Sequence, residues 1–217
     1  RFMHEFSKYI NKLDTSDYLM AISMDLNSYD LIVSTIPISL NTDVPVIEVS
    51  AYLYKRDIDK ILTAFKGEES IKEIKELFDK DMFFKIKDDK KTSRDDVLKA
   101  MLANASEEFD RKLYFEELMK REDLASTGLE NKVAIPHPLN PVTNCNFLGV
   151  YINPIAIDWS DKKINIVILL NLNDNIKRTT LENFYKYLSE FLNDDKKILE
   201  AIKSESLEEF WQVFFKK

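Results

Sequence analysis

Apolar residues recur at helical spacing in some stretches of this chain and run almost unbroken in others, and each pattern predicts its own kind of element. Phe2, Phe6, Tyr9, Ile10 and Leu13 fall near a 3.6-residue period and predict an amphipathic helix over 1–13. Tyr18–Met24 is short and apolar and reads as a strand. Asp30–Ile38 and Val44–Ser50 are β-branched and apolar almost throughout. Such continuous strands predict a sheet covered on both faces. Helical spacing returns over Asp57–Phe65. Helix, three strands and helix make a small open α/β unit that looks incomplete at its N-terminal edge.

Residues 66–75 alternate in charge with few apolar positions, which predicts a solvated helical linker between domains. Leu77–Ile86 is then rich in phenylalanine (Phe78, Phe83, Phe84), and a mixed-charge run over 85–91 reads as a solvated loop. Ser93 is a suitable N-cap for a helix from about Arg94, with Asp96 favourable in its first turn. A second helix is predicted over Glu107–Glu122, with Phe109, Leu113, Phe115, Leu118 and Met119 as core positions. Strands follow at about Phe147–Ile152 and Ile164–Leu170, then helices at Thr179–Leu192, Lys196–Ile202 and Leu207–Phe215. The chain carries no internal repeat and no low-complexity tract.

Composition narrows the function classes. At 217 residues the chain suffices for one large domain or two smaller ones. Three glycines leave almost no room for a Gly-rich phosphate loop. A net charge of −7 argues against direct nucleic-acid binding, which calls for a basic surface. One cysteine, Cys145, excludes an intrachain disulfide and fits a reducing cytoplasm. No apolar run approaches the ~20 residues that span a bilayer. Position 1 is Arg1, so the chain reads as a piece of something longer.

Two histidines are present, His4 and His137. His4, beside Phe2 and Phe6, reads as a surface or core-edge residue. His137 lies between Pro136 and Pro138. Proline fixes its own φ and restricts the residue before it, so the backbone around this imidazole is preset. A histidine presented to a partner needs such fixed geometry. The residues alone leave a rigid turn as the equal alternative. Two distant histidines and one cysteine supply no metal-ligand cluster, and no cofactor is expected. No nucleophile-elbow sequence accompanies the many serines, and Cys145 reads as a small packing residue.

The stretch Arg121–Pro138 (Arg-Glu-Asp-Leu-Ala-Ser-Thr-Gly-Leu-Glu-Asn-Lys-Val-Ala-Ile-Pro-His-Pro) closely resembles the active-site segment of enzyme IIA domains of the mannitol/fructose class. These domains belong to the bacterial phosphotransferase system (PTS). The resemblance covers about residues 76–217 and implies an α/β domain with a mixed sheet flanked by helices. Tyr29–Pro37 and Val44–Ser50 look like the later strands of an enzyme IIB-like domain. The implied organisation is a partial IIB-like domain with a small open parallel sheet over 1–66, a linker over 67–75 and a IIA domain over 76–217. That pairing resembles PTS-regulated transcriptional antiterminators and activators, which carry PTS-regulation domains (PRDs) and nucleic-acid-binding domains upstream. Pro138 and the Ile157-Asp158-Trp159 run favour this regulator branch over a transporter subunit.

By this resemblance His137 accepts a phosphoryl group from phospho-HPr or a similar phosphocarrier. Arg121, sixteen residues upstream, binds phosphate oxygens, for which a planar guanidinium is suited. Ser126, Thr127 and Asn131 are the implied binding and loop-supporting residues. The sequence departs from the family in three places. Many transporter IIA domains carry a second active-site histidine after the Ile164–Leu170 strand, and Asn175–Leu188 contains none. Glu130 and Lys132 stand where glycines are common. The IIB-like part has no cysteine. Beside the regulatory module stand two alternatives, a transport-system IIA component and a non-catalytic dimerisation module; homodimer formation is open in each.

Overall fold

Short-range chemistry decides where the elements begin. A computed structural model describes residues 2–42, 44–87, 92–106 and 108–216, apart from the side chains of His4 and Glu68. The expectation for His4 and the part of the charged run at 88–91 therefore lie outside the described residues. The chain divides into two compact units, Arg1–Glu69 and Ser70–Lys217.

In the first unit, α1 (Phe2–Phe6) and α2 (Tyr18–Ala21) precede a 3₁₀ turn at Leu26–Ser28. Two short parallel strands follow, β1 (Ile32–Ser34) and β2 (Val46–Glu48), with Val33 opposite Ile47. The long helix α3 (Lys55–Glu76) begins in this unit and runs through its boundary. Phe6, Val49 and Ile61 form the core, with Val33 and Ile47 packed on it. Alternate residues of a strand point to opposite faces, so Val46 and Glu48 face away and are exposed. The expectation of a sheet covered on both faces fails here for that reason. Two other readings are corrected. The helix predicted over 1–13 stops at Phe6. Tyr18–Met24 opens with the short helix α2 (Tyr18–Ala21) rather than forming a strand, because the Asp17 carboxylate accepts the Met20 N–H at 2.9 Å and starts a helical turn.

The expected linker is part of α3. Its charged residues hide Ile71 and Ile74, three positions apart on one face; Ile74 is fully buried in the second unit.

That second unit is built on a mixed four-stranded sheet. Its strands are β3 (Phe78–Lys85), β4 (Val133–Ala134), β5 (Phe147–Trp159) and β6 (Lys162–Asn171), in the order β3-β5-β6-β4. Strands β5 and β6 are antiparallel, while β3 runs parallel to β5 and β4 parallel to β6. The apolar runs that mark β5 and β6 are fully used, since both faces of the sheet are covered. Leu148, Val150, Ile166, Ile168 and Leu170 belong to one core layer, beneath α6 (Arg178–Leu192), α7 (Asp195–Ala201) and α8 (Leu207–Phe214). Phe147, Tyr151, Val167 and Leu169 belong to the other, beneath α4 (Arg94–Ala103) and α5 (Arg111–Leu124).

At Gly149 the Met101 side chain of α4 and Met82 of β3 pack directly over the β5 backbone: a Cβ there would stand 2.9 Å from Met101 Cε and 3.2 Å from Met82 Cβ. Ser93 caps α4 by accepting the Asp96 N–H, and Asp110 caps α5 by accepting that of Leu113. The α5 cap explains its start at Arg111, later than the periodicity predicts. Strand β5 extends beyond the predicted Ile152 to Trp159 through an irregularity between Ile152 and Ile157. No helix among the described residues is long and apolar enough to cross a membrane.

Candidate functional site

His137 sits where the chain leaves the edge strand β4. That strand is two residues long, but its pairing continues: the Leu170 N–H donates to the Pro136 carbonyl at 2.9 Å. The approach to β4 doubles back on itself. Leu129 N–H donates to Val133 O at 2.8 Å, and Ile135 N–H donates to Thr127 O at 3.2 Å. Lys132, with φ 71°, makes the reversal. A left-handed backbone usually favours glycine, so a lysine there marks a turn held by its surroundings.

Two contacts fix the state of the imidazole. His137 Nδ1 lies 2.9 Å from the Ile135 carbonyl, and the Arg121 Nε–H points at His137 Nε2 from 3.0 Å. A carbonyl oxygen only accepts and a guanidinium only donates. The ring proton is therefore on Nδ1 and the lone pair on Nε2. Arg121 is itself held, its Nη1 donating to Ala125 O at 2.7 Å across the C-terminus of α5.

Helix α5 supplies more than the arginine. Glu122, buried, accepts from the Thr127 N–H at 3.2 Å, from the Thr127 hydroxyl and from Trp159 Nε1 at 3.0 Å. Glu117, one turn before Arg121 and also buried, accepts from Asn140 N at 3.1 Å and Asn140 Nδ2 at 2.7 Å, and its backbone carbonyl accepts from Leu139 N. Lys120 pairs with the Glu117 carboxylate. Those bonds, from Lys120 first and then Asn140, hold the Glu117 carboxyl below the usual glutamate range.

The imidazole opens onto a cleft of about 500 Å³ lined by Arg121, Ser126, Thr127, His137 and the end of β6. Apolar walls come from Leu129, Leu139, Leu172 and Leu188, with Tyr185 on α6 beside them. Ser126 Oγ accepts the Gly128 N–H, steadying the loop.

Four residues read from the sequence thus meet here: His137, Arg121, Ser126 and Thr127. Asn131 is not among the residues that line the cleft; its side-chain amide donates to Leu192 O and caps α6. Sequence reasoning missed the parts played by Glu117, Glu122, Asn140 and Trp159. Glu122 stands in the Arg-Glu pair, and Asn140 stands between prolines; these were the available signals. Among the described residues, no group of three or more His, Cys, Asp or Glu side chains is placed to hold a metal ion.

Residues 76–217 match the family described as "Phosphoenolpyruvate-dependent sugar phosphotransferase system, EIIA 2". The chain belongs to this EIIA 2 family. The match spans α5, β4 and the cleft, so His137 and Arg121 stand inside the EIIA 2 region. The first unit lies outside that match. Across both units the chain is 30% identical over 213 residues to the "Probable licABCH operon regulator" of Bacillus subtilis, covering 98% of this chain and 32% of that protein. The chain thus spans about a third of the length of that relative.

Two solved structures resemble the EIIA 2 fold. The complex of enzyme IIAMTL and phosphorylated enzyme IIBMTL from Escherichia coli aligns with a TM-score of 0.51 at 14% identity, covering 64% of this chain and 98% of that one. Nitrogen regulatory protein IIA-Ntr from Neisseria meningitidis aligns with a TM-score of 0.50 at 20% identity, covering 65% and 98%. At these identities the likeness is one of fold.

Proposed function

We propose that this chain is the phosphorylation-sensing module of a PTS-regulated transcriptional regulator, with His137 as phosphoryl acceptor and phospho-HPr or a similar phosphocarrier as donor. The observation that carries this reading is the Arg121–His137 contact, which leaves the lone pair on Nε2 and sets a guanidinium beside it. The likeness to an operon regulator, which runs over both units, supports the regulatory role. In this reading residues 1–66 are the later part of a IIB-like domain, residues 76–217 are the IIA domain, and PRD and nucleic-acid-binding domains belong to the same full-length protein.

The transfer is a displacement at phosphorus. The His137 Nε2 lone pair forms the new N–P bond as the donor histidine's N–P bond breaks. The donor imidazole leaves with that electron pair. Positive charge arising on the His137 ring rests on Nδ1–H, which already donates to the Ile135 carbonyl. Arg121 releases Nε2 and turns its donors onto the phosphoryl oxygens, where charge-assisted, paired bonds are strongest. Positioning and charge stabilisation supply most of the catalysis in phosphoryl transfer. The product gains about −1.5 to −2 charges at pH 7, enough to alter what packs against the cleft.

The test is incubation with enzyme I, HPr and phosphoenolpyruvate, then intact mass measured under alkaline conditions. The wild type gains the mass of one phosphoryl group, and His137→Ala gains none. An unmodified wild type, or a modified His137→Ala, sinks the proposal. Rapid onward transfer to a sugar-specific IIB protein would instead make the chain a transport component.

A further inference from the structure

We infer that Glu117 is the positioning residue of the phosphoacceptor: it fixes the chain that follows His137 and thereby holds the ring between Ile135 and Arg121. The inference rests on the reading of His137 as the acceptor.

The segment Pro136-His137-Pro138-Leu139-Asn140-Pro141 has few ways to be tied down. Three of its six residues are prolines and carry no N–H. The backbone donors that remain are those of His137, Leu139 and Asn140. Two of these three go to one residue. Leu139 N–H donates to the Glu117 carbonyl at 3.2 Å, and Asn140 N–H donates to the Glu117 carboxylate at 3.1 Å. The Asn140 side-chain amide adds a third bond to the same oxygen at 2.7 Å.

The carboxylate is built to stay. Glu117 is 5% exposed, and Lys120 supplies its countercharge from the next turn. A carboxylate this buried makes strong bonds to N–H donors. Glu117 and Arg121 are four apart on α5 and share a helix face. One rigid helix therefore carries both the group that anchors the far arm of the histidine loop and the group that meets Nε2. Proline at 136 and 138 passes that anchoring to the imidazole with little slack. Loss of the carboxylate frees Asn140 and leaves the loop only the Leu139 bond to the backbone carbonyl of residue 117, and the ring loses its fixed orientation between its two partners.

Glu117→Ala, Glu117→Gln and Asn140→Ala in the whole chain test this, each checked for folding by circular dichroism. The first readout needs no phosphoryl donor: long-range ¹H–¹⁵N spectra of the imidazoles, of which there are two. In wild type, His137 shows a proton on Nδ1 and a bare Nε2. Glu117→Ala gives averaged nitrogen shifts, and Glu117→Gln, whose amide oxygen still accepts from Asn140, restores the wild-type pattern. The second readout is phosphorylation by phospho-HPr. Glu117→Ala lowers kcat by about 10- to 100-fold, as a misplacement of about 1 Å does, with KM nearly unchanged.

Asn140→Ala is exposed, removes one bond of the three and shows the same changes to a smaller degree, so it decides the matter if Glu117→Ala does not fold. Unchanged imidazole spectra in the folded variants, or a loss confined to KM, overturn the positioning role. If wild type itself takes up no phosphoryl group, the acceptor reading falls, and the spectra alone still decide whether Glu117 orients the ring.

Discussion

Arg121 Nε and His137 Nε2 lie 3.0 Å apart although 16 residues separate them in the chain. One comes from the last turns of a helix and the other from the segment after an edge strand. Their meeting makes the motif a site.

Arg121→Lys is expected to keep the charge and lose the function of the planar fork. A lysine ammonium is a point charge and cannot pair two phosphoryl oxygens side by side in one planar fork. Phosphorylation of His137 by phospho-HPr slows by about 10- to 100-fold, measured as the initial rate at saturating donor. A wild-type rate in the lysine variant would show that the arginine acts only as a point charge.

Trp159→Phe removes the indole donor from Glu122 and leaves a buried carboxylate with only the two Thr127 donors. The cost is about 1–3 kcal/mol of stability, the usual penalty for stripping a partner from a buried group. Urea unfolding measures it; no shift in midpoint would mean that solvent reaches Glu122 in place of the indole.

Asn131→Ala loses a cap on α6 and nothing in the cleft. Since Asn131 Oδ1 is buried with no partner, its removal also relieves a desolvated acceptor. The net loss is at most about 1 kcal/mol, with the phosphorylation rate unchanged. A slowed rate at preserved stability would place Asn131 in the phosphoryl site after all.

Glu117 gives the fold a pH dependence of definite sign. Its hydrogen bonds to Lys120 and Asn140 lower its pKa in the folded protein below the ordinary 4.5. The stabilisation is complete above the unfolded value and is lost as pH falls through the folded one. The difference in urea midpoint between wild type and Glu117→Gln therefore shrinks as the pH falls below the ordinary glutamate value of 4.5. A difference that grows on acidification would mean the carboxyl is held protonated.

The sequence made the centre of the site readable and left its frame obscure, for a physical reason. His137 announced itself through its prolines, and Arg121 through its place in a recognised motif. Glu117 and Glu122 did not, because a glutamate in a helix normally faces water, and only the packing reveals that these two turn inward. The long strands β5 and β6 were legible because both of their faces are buried. The polar Asn153-Pro154 pair disguised how far β5 continues, since an irregularity carries the strand past it. Ile71 and Ile74 were lost among lysines and glutamates, although their spacing places them on one helix face. In the first unit, Asp17 capping a helical turn outweighed the strand-like look of Tyr18–Met24.

The double hold on the imidazole also has a consequence for what can react with it. At rest the nucleophilic nitrogen already has a donor on it, so an electrophile without negative charge must compete with a guanidinium that has no reason to leave. In the proposed transfer, an anionic phosphoryl group draws that guanidinium onto its own oxygens and uncovers the nitrogen in the same movement. Under the proposed transfer the histidine is thus muted toward neutral modifiers and becomes reactive in the presence of an anionic phosphoryl donor.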